Sequence, residues 1–367
     1  MGSPFATIEQ AIEAIRRGRM VVVVDDEDRE NEGDLTLAAA HVTPEAIAFM
    51  ATHGRGLVCV ALEGELLDRL QIPLMVRENS SPFETAFTIS VEARTGTTTG
   101  ISAADRARTI QALVDPASRA QDFVKPGPMF PLRARPGGVL TRTGQTGASV
   151  DLARLAGLHP SGVICEIMKE DGTMARVPDL VPFCERHGLL LVTVADLVAY
   201  RLRTDPIVKA LEVRSLDTAA GPISVHRFQS LLDGGTHFAF VIGDPLQGGP
   251  PLVRVHLETL PEDLHGFGSG PFQAAMEAIH GEGRGVLVYL RRHAATQGVH
   301  LESAEALPGP SDRDVGVGAQ ILRSLGIHEM RLLTRSEKKY IGLRGFGLDI
   351  TSQVLLPPPP LPSQTVP

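Results

Sequence analysis

Helical and strand-like hydrophobic periodicities alternate along the first half of the chain. Thr7 and Gln10 form a capping-box pair around the first of three isoleucines spaced four and three residues apart, which predicts a helix that ends near Gly18. Residues 20–24 (MVVVV) are a short, largely β-branched run that is typical of a buried strand. A helical pattern and two strand patterns follow at 44–53, 56–62 and 85–92. This mixture predicts an α/β or α+β fold.

A proline-containing break divides the pattern into two parts. Thr-Asp-Pro at 204–206 interrupts a helical pattern, and new strands begin near Val213. We therefore expect two domains, 5–203 and 207–355. The second is predicted to contain four strands and two helices, at 223–228, 236–242, 252–257, 285–289, 271–281 and 316–325. The proline-rich residues 356–367 are predicted to be a disordered tail.

Composition narrows the classes of function. The 367 residues are 43% hydrophobic and carry a formal net charge of -8, which gives no general attraction to nucleic acid or anionic lipid. The three cysteines, Cys59, Cys165 and Cys184, argue against a disulfide framework, and no apolar run is long enough to span a membrane. We expect a cytoplasmic protein with a small-molecule partner and with no nucleic-acid or membrane partner.

The segment DDEDRENEGD, residues 25–34, follows the predicted buried strand directly. Eight of its ten residues are charged and seven of those are acidic. Carboxylates this close repel one another, and a divalent cation would offset that repulsion. Oxygen ligands of this kind suit magnesium, which binds one or two carboxylates together with waters and substrate oxygens. A solvated charge run is the alternative interpretation.

The same segment closely resembles the signature of 3,4-dihydroxy-2-butanone 4-phosphate synthases. The resemblance covers residues 5–203 and continues through THGRGLVC (52–59), FTISVEA (87–93), TTGISAADR (98–106), FPLRARPGGVLTRTGQT (130–146), DLARLAG (151–157) and GVICEIMKEDGTMAR (162–176). It implies an α+β domain, usually a homodimer. The implied reaction, in riboflavin biosynthesis, converts D-ribulose 5-phosphate to 3,4-dihydroxy-2-butanone 4-phosphate and formate.

The resemblance also implies roles for the acidic side chains. Glu30 matches the family's magnesium-binding glutamate, for which manganese would be an equivalent ion, and it also lies among the substrate contacts. Arg29 matches a substrate-binding arginine. Asp34 matches a carboxylate that contacts substrate hydroxyls and takes part in catalysis. Glu166 matches an acid-base carboxylate that also touches the substrate, the alternative being a charged residue at a strand edge.

A second matching loop is implied to hold the substrate phosphate. Arg142, Gly144 and Thr146 supply a guanidinium, backbone N-H groups and a hydroxyl, which suit a phosphate group. Gln145, within the same loop, stands where the family has its second magnesium ligand. Its amide oxygen is a neutral ligand that magnesium accepts, so Gln145 is a predicted metal and substrate contact.

Two further matches have structural alternatives. Cys59 matches an active-site residue of the family and is a predicted catalytic residue, but a cysteine in an apolar strand is more often a core filler. Thr98 lies in a motif near the substrate. Its neighbours Ser102 and Asp105 belong to the same motif, and both are equally suited to capping a helix that begins at about 103.

Two histidines of the family pattern are replaced in this sequence. Gln145 replaces a histidine in Arg-x-Gly-His-Thr, and Pro128 replaces one in the Pro-Gly-His stretch before FPLRA. Proline cannot transfer a proton. Gly147, where glutamate is common, is a lesser change. A catalytically inactive protein that binds sugar phosphate or regulates the pathway is therefore the alternative to an active synthase.

The second half resembles GTP cyclohydrolase II through LVRVHLETL (252–260), GEGRGVLVYLRR (281–292) and HEMRLLTRSEKK (328–339). That family binds zinc through three cysteines, whose positions here align with Thr259, Gly268 and Gly270. Without thiolates no zinc is expected, although Arg313 still matches a family arginine. We predict a degenerate, inactive α/β domain, with a bifunctional enzyme as the less favoured alternative.

Overall fold

A seven-stranded mixed sheet forms the centre of the first half of the chain. The computed structural model describes residues 3–26, 29–218, 221–259, 263, 270–292, 311–335 and 343–356. Its first sheet contains β1 Val21–Val24, β2 Gly33–Ala38, β3 Cys59–Glu63, β4 Val91–Ala93, β5 Phe123–Ala134, β6 Ser161–Glu166 and β7 Leu190–Thr193. The strand order is β4-β5-β3-β6-β2-β1-β7. Two pairs, β1 with β7 and β3 with β5, are parallel, and the others are antiparallel.

Seven helices accompany this sheet: α1 Ile8–Arg16, α2 Pro44–Phe49, α3 Gly64–Arg69, α4 Ala103–Val114, α5 Gln145–Leu155, α6 Val177–His187 and α7 Val194–Thr204. The predicted capping box is present, since the Thr7 side chain accepts from the backbone N-H of Gln10 and the Gln10 side chain accepts from that of Thr7. The sheet has apolar clusters on both faces. One includes Val22 and Val24, and the other contains Val21 and Val23 with residues of α1, α5 and α7.

The prediction of a strand at 85–92 is wrong over most of that range. Only Val91–Ala93 forms a strand, whereas Phe87 and Thr88 make isolated bridges to Leu132 and Leu74. Neither bridge extends into a ladder, so residues 85–90 do not form a strand. The helix predicted at 44–53 is confirmed, with a π-helical turn, Met50–Gly54, completing it after α2.

The second half also forms around a seven-stranded sheet. Its strands are β8 Val208–Thr218, β9 Gly221–Ser230, β10 Thr236–Ile242, β11 Leu252–Leu257, β12 Gly285–Leu290, β13 Glu329–Thr334 and β14 Asp349–Leu355, and its helices are α8 Pro271–Glu282 and α9 Asp312–Ser324. The order is β14-β13-β11-β12-β10-β9-β8. Within the group β11 to β14, every pair of neighbouring strands is parallel. Both halves therefore confirm the predicted mixture of helix and sheet.

The chain separates by internal contacts into Met1–Arg201 and Leu202–Pro367, which we call unit 1 and unit 2. The four strands predicted in unit 2 are present. The first five residues of β8 precede Val213, where new strands were expected to begin, and β13 and β14 had no counterpart in the predicted set. Of the predicted tail, only Leu356 belongs to the described residues. No helix within the described segments is both long and apolar enough to cross a membrane.

Candidate active site

Two predicted catalytic carboxyls, Asp34 and Glu166, lie side by side on the first sheet. Asp34 is paired with Glu166 in the antiparallel register of β2 and β6, so both side chains project from the same face. The Asp34 carboxyl is buried, with 3% of the residue exposed. Burial raises the pKa of Asp34 well above its usual value, and the charge of Glu166 adds to the effect. Burial also raises the pKa of Glu166.

The Glu166 carboxylate is fixed by the backbone of the THGRGLVC segment. The Leu57 N-H donates to Glu166 Oε2 at 2.8 Å, and the Gly56 N-H donates to the Glu166 carbonyl at 3.2 Å. A Cβ at position 56 would lie 2.5 Å from both of these Glu166 oxygens, the carbonyl and Oε2. Only glycine permits this close approach of the two segments.

Asp25 organises the acidic segment. Its buried carboxylate accepts from the N-H of Glu32 at 2.9 Å and from the N-H of Glu30 at 3.3 Å, and it forms an ion pair with Arg29. Asp25 and the described residues 29–34 are therefore buried or half-buried, which does not fit a solvated charge run. Asp25 was not among the predicted site residues, and its role depends on backbone contacts that only the folded segment makes.

Arg176 holds the same segment from the other side. Its Nη1 donates to the carbonyl of Glu30 at 2.7 Å and to that of Asn31, and it lies 3.9 Å from the Glu32 carboxylate. Arg176 is the last residue of the GVICEIMKEDGTMAR motif, and the sequence analysis did not single it out. The backbone that carries Glu30 is thus held by Asp25 and Arg176 together.

Arg29 connects the acidic segment to α5. Its Nη2 donates to Glu30 Oε1 at 2.9 Å, its Nη1 donates to Gln145 Oε1 at 3.0 Å, and its guanidinium lies 5.5 Å from the centroid of the Phe83 ring. The Gln145 Nε2 donates to the Glu32 carbonyl at 3.2 Å. The structure therefore brings the predicted residues Arg29, Glu30 and Gln145 together.

The N-terminus of α5 has the features of an anion site. Gly144 is its N-cap and no side chain caps the helix, so the first N-H groups, including those of Gln145 and Thr146, have no partner within the helix. A Cβ on Gly144 would lie 2.9 Å from both Arg142 Nη1 and Arg29 Nη2. Two guanidinium groups therefore converge on the positive end of this helix, an arrangement suited to phosphate.

Arg142 is positioned by the segment before β4. Its Nη2 donates to the Phe83 carbonyl at 2.8 Å and to Thr85 Oγ1 at 3.1 Å, and its Nε donates to the Phe83 carbonyl at 3.2 Å. Burial and the nearby charge of Arg29 lower the pKa of Arg142. An anion bound between the two guanidinium groups would relieve their mutual repulsion.

The carboxylates around Glu30 suit a hard divalent cation. Burial, together with the charge of Glu30, raises the pKa of Glu32, and the charge of Glu30 also raises the pKa values of Asp34 and Glu166. Within the described segments, no three His, Cys, Asp or Glu side chains form a ready-made metal site.

Cys59, a predicted catalytic residue, lies in an apolar cluster with Leu132 and Ile164. Burial is the main cause that raises the pKa of its thiol, and the charge of Glu166 adds to it. The thiolate, not the thiol, is the reactive form of cysteine. These surroundings favour the packing role of Cys59, and its catalytic role stays a prediction.

Thr98 is also placed by local structure. Its hydroxyl donates to Asp105 Oδ2 at 2.7 Å, and Ser102 caps α4 by accepting from the Asp105 N-H at 3.1 Å. The capping interpretation is therefore confirmed for Ser102, whereas the Asp105 carboxylate accepts from Thr98 and from the Gly100 N-H instead of capping α4. No hydrogen bond of Thr98 within the described part of the chain reaches Arg29 or Gly144.

Pro128 lies within β5, two residues before Phe130, where the pairing of β5 with β3 begins. A Cβ added at Gly100 would lie 2.7 Å from Pro128 Cγ and 2.7 Å from Glu92 Cδ, so the proline packs beside these two residues. Its side chain has no group that could transfer a proton.

In unit 2, Thr259, which was predicted to align with a zinc-binding cysteine of the GTP cyclohydrolase II family, is hydrogen-bonded. The N-H of Thr259 donates to Asp263 Oδ2 at 3.0 Å. Asp263 also accepts from the Tyr289 hydroxyl at 2.9 Å and lies 2.9 Å from His256 Nε2. Of the other two aligned positions, Gly270 is the N-cap of α8 and Gly268 lies outside the described residues.

Comparisons with known proteins agree with both resemblances. Residues 9–200 match the family model of 3,4-dihydroxy-2-butanone 4-phosphate synthase, and residues 209–355 match that of GTP cyclohydrolase II. The riboflavin biosynthesis protein RibBA of Aquifex aeolicus is 48% identical over 95% of this chain and 92% of its own length. The monofunctional riboflavin biosynthesis protein RIBA 2, chloroplastic, of Arabidopsis thaliana is 49% identical over 96% of this chain and 77% of its own length.

Solved structures give the same result. RibBX of A. baumannii, described as a two domain 3,4-dihydroxy-2-butanone 4-phosphate synthase, is 43% identical with a TM-score of 0.78, covering 95% of this chain and 100% of its own. A 3,4-dihydroxy-2-butanone 4-phosphate synthase in complex with two magnesium ions is 43% identical with a TM-score of 0.53, covering 55% of this chain and 99% of its own. Since both halves match adjacent family models, the chain belongs to the two-domain 3,4-dihydroxy-2-butanone 4-phosphate synthases, with a second half of the GTP cyclohydrolase II family.

Proposed function

We propose that unit 1 converts D-ribulose 5-phosphate to 3,4-dihydroxy-2-butanone 4-phosphate and formate. The observation that carries the proposal is the meeting of an anion site with a carboxylate cluster. Arg29 and Arg142 converge at Gly144, and Arg29 also donates to Glu30. A sugar phosphate held by its phosphate at α5 would place its hydroxyl and carbonyl groups toward the carboxylates.

Asp34 and Glu166 are suited to moving protons in this reaction. Their paired position and raised pKa values mean that, as a pair, they keep a proton more readily than two exposed carboxyls would. One carboxyl can then accept a substrate proton while the other donates one. Thr146, at the first turn of α5, completes the proposed phosphate contacts.

We assign Glu30 and the amide oxygen of Gln145 as ligands of a magnesium ion, for which manganese is an alternative. When bound, the ion would act as a Lewis acid on the substrate's vicinal oxygens. Gln145 Oε1 already accepts from Arg29 Nη1, so metal and guanidinium share this oxygen or Arg29 turns toward the phosphate. The magnesium-bound neighbour supports divalent metal use in the family.

The alternative to an active synthase, an inactive protein that binds sugar phosphate, rests only on the replacements at Pro128 and Gln145. With neither histidine, unit 1 would bind the sugar phosphate at α5 but would not release formate. This candidate predicts binding without turnover. The two candidates differ only in whether formate is released from ribulose 5-phosphate.

We further propose that unit 2 does not hydrolyse GTP and holds no zinc. All three cysteines of the sequence precede residue 200, and the described position Thr259 is a hydrogen-bonded threonine. Zinc content near zero and no GTP turnover in the purified chain would support this. One zinc per chain, or GTP turnover, would support the bifunctional alternative instead.

The domain limits 5–203 and 207–355, a homodimer, a cytoplasmic location and the absence of nucleic-acid and membrane partners are also part of the proposal. The net charge of -8 and the small-molecule character of the site support the last two. The homodimer is supported by family resemblance.

The deciding experiment measures formate release from ribulose 5-phosphate by the full chain with magnesium. We expect turnover in the wild type and a loss of at least about 100-fold in Glu30→Ala, because a metal ligand is removed. Glu185→Ala, an exposed glutamate on α6, is the matched control and should retain full activity. Binding of the sugar phosphate without any formate would identify the inactive alternative.

A further inference from the structure

The edge strand β8 presents an exposed apolar surface in unit 2. It is 11 residues long, ends the strand order of the second sheet, and pairs on one side with β9. No other strand of the described segments pairs with its outer side. Leu211, Val213 and Leu216 are 40%, 61% and 48% exposed. Long edge strands of this kind are templates for pairing with another strand.

The charges along β8 reverse sign about Val213. Glu212 precedes it and Arg214 follows it, while Lys209 and Asp217 lie four residues before and after it. The part of β8 before Val213 is therefore complementary in charge to the part after it, read outward from Val213. A strand with this order fits a second, antiparallel copy of itself, because a two-fold axis brings each position opposite its counterpart.

We propose that β8 pairs antiparallel with β8 of a second copy of this chain about a two-fold axis through Val213. In this register Val213 of one copy lies opposite Val213 of the other copy, and Glu212 of each copy lies opposite Arg214 of the other. Opposite charges directly across an antiparallel pair stabilise it, and like charges destabilise it. The unit 2 sheet of one copy and that of the other would become one continuous sheet by β-augmentation.

The local structure of β8 is compatible with this register. Glu212 lies 3.2 Å from Arg227 of β9 and 3.3 Å from Arg214, so its side chain is already oriented within a row of charges on one face. The register with β9 shifts between Ala210 and Glu212, and this irregularity lies outside the three central pairs. The proposal is independent of the chemistry of unit 1.

Disulfide formation tests the register directly. Directly opposite residues of an antiparallel pair have Cα atoms about 4.5–5.5 Å apart, within the range of about 4.4–6.8 Å that a disulfide requires. The three native cysteines are buried. We expect Val213→Cys in the full chain to form a cross-linked dimer under mild oxidation. Leu246→Cys, which changes a residue of equal exposure at 61%, is the matched control and should cross-link at least fivefold less.

A charge reversal supplies the second arm. Adding Arg214→Glu to Val213→Cys places like charges opposite each other, and the cross-linked fraction should fall at least threefold. Arg186→Glu, an exposed arginine of α6, should leave that fraction unchanged. The proposal would be overturned if the cross-linked fraction of Val213→Cys were no higher than that of Leu246→Cys. It would also be overturned if adding Arg214→Glu left the cross-linked fraction of Val213→Cys unchanged.

Discussion

Asp34 and Glu166 form a directly opposed carboxyl pair on the antiparallel strands β2 and β6. Burial raises the pKa of both groups, and the charges of Glu30 and other nearby carboxylates raise that of Asp34 further. No hydrogen-bond donor of the described segments reaches the Asp34 carboxyl. Perturbed pairs of this kind are typical of functional sites, where charge is kept at a cost in stability. Stability and activity should therefore respond in opposite directions when Asp34 loses its charge.

We predict that Asp34→Asn raises the melting temperature at neutral pH in metal-free buffer and lowers formate release at least about 100-fold. An acid whose pKa is raised on folding binds its proton more tightly in the folded state. The wild type therefore loses stability as the pH rises from the usual aspartate value through the raised folded value. Asparagine does not titrate, so the advantage of the variant should grow with pH.

The measurement is a series of thermal unfolding curves of both proteins between about pH 4 and pH 8. We expect the melting temperature of the variant to exceed that of the wild type by a few degrees at pH 8. In domains of about 150–250 residues, about 1 kcal/mol of stability corresponds to about 2–4 °C. Asp26→Asn, an exposed carboxylate of the same segment, is the control and should show no pH-dependent gain. A variant less stable than the wild type at pH 8 would contradict the argument.

Gly144→Ala should weaken substrate binding while leaving the fold intact. The new Cβ would lie 2.9 Å from Arg142 Nη1 and Arg29 Nη2, which are the ends of flexible side chains and can move aside. The guanidinium groups would then leave the phosphate position. We expect KM to rise about tenfold, which corresponds to about 1.4 kcal/mol, with inhibition by inorganic phosphate weakened in parallel.

The control for this substitution is Gly281→Ala in α8, where no atom lies within 4 Å of the added Cβ. It should leave KM and the melting temperature unchanged or slightly raise the latter, because alanine favours the helix. An unchanged KM in Gly144→Ala, with a normal melting temperature, would remove the helix terminus from the substrate site.

Asp25→Ala should damage the site by releasing the acidic segment. The substitution leaves the N-H groups of Glu30 and Glu32 and the Arg29 guanidinium without their buried acceptor. Removal of one partner of a buried ion pair costs about 3–5 kcal/mol. We expect a lower urea midpoint and a magnesium requirement raised at least about tenfold. Equal behaviour of Asp25→Ala and Asp26→Ala would show that Asp25 does not organise the segment.

The sequence predicted the cluster but not what holds it together. The motif resemblance located Arg29, Glu30 and Gln145, and the structure brings these three side chains into hydrogen-bond contact. Asp25 and Arg176 were missed because their contacts with the segment depend on its folded path, which one-dimensional spacing does not encode. Arg176 is 146 residues from its Glu30 partner.

Periodicity predicted strands well only where one partner accompanies the whole segment. Thr236–Ile242 and Leu252–Leu257 match their predicted limits because each is flanked by regular ladders. The alternation at 85–92 failed because neither the bridge at Phe87 nor that at Thr88 extends into a ladder. The first five residues of strand β8 were missed because an exposed edge strand lacks a buried face and so gives no clean alternation of apolar and polar residues.

Cys59→Ala tests whether the thiol takes part in catalysis or only fills space. The residue packs with Leu132 and Ile164, and burial raises the pKa of its thiol, so loss of sulfur should cost about 0.5–1.5 kcal/mol in stability. We expect kcat to change by less than about threefold, because a protonated thiol supplies no nucleophile. Cys184→Ala, another buried cysteine in a different cluster, is the matched control for stability and should behave alike. A fall in kcat of about 100-fold in a Cys59→Ala protein with a normal melting curve, absent from Cys184→Ala, would place the thiol among the reacting groups after all.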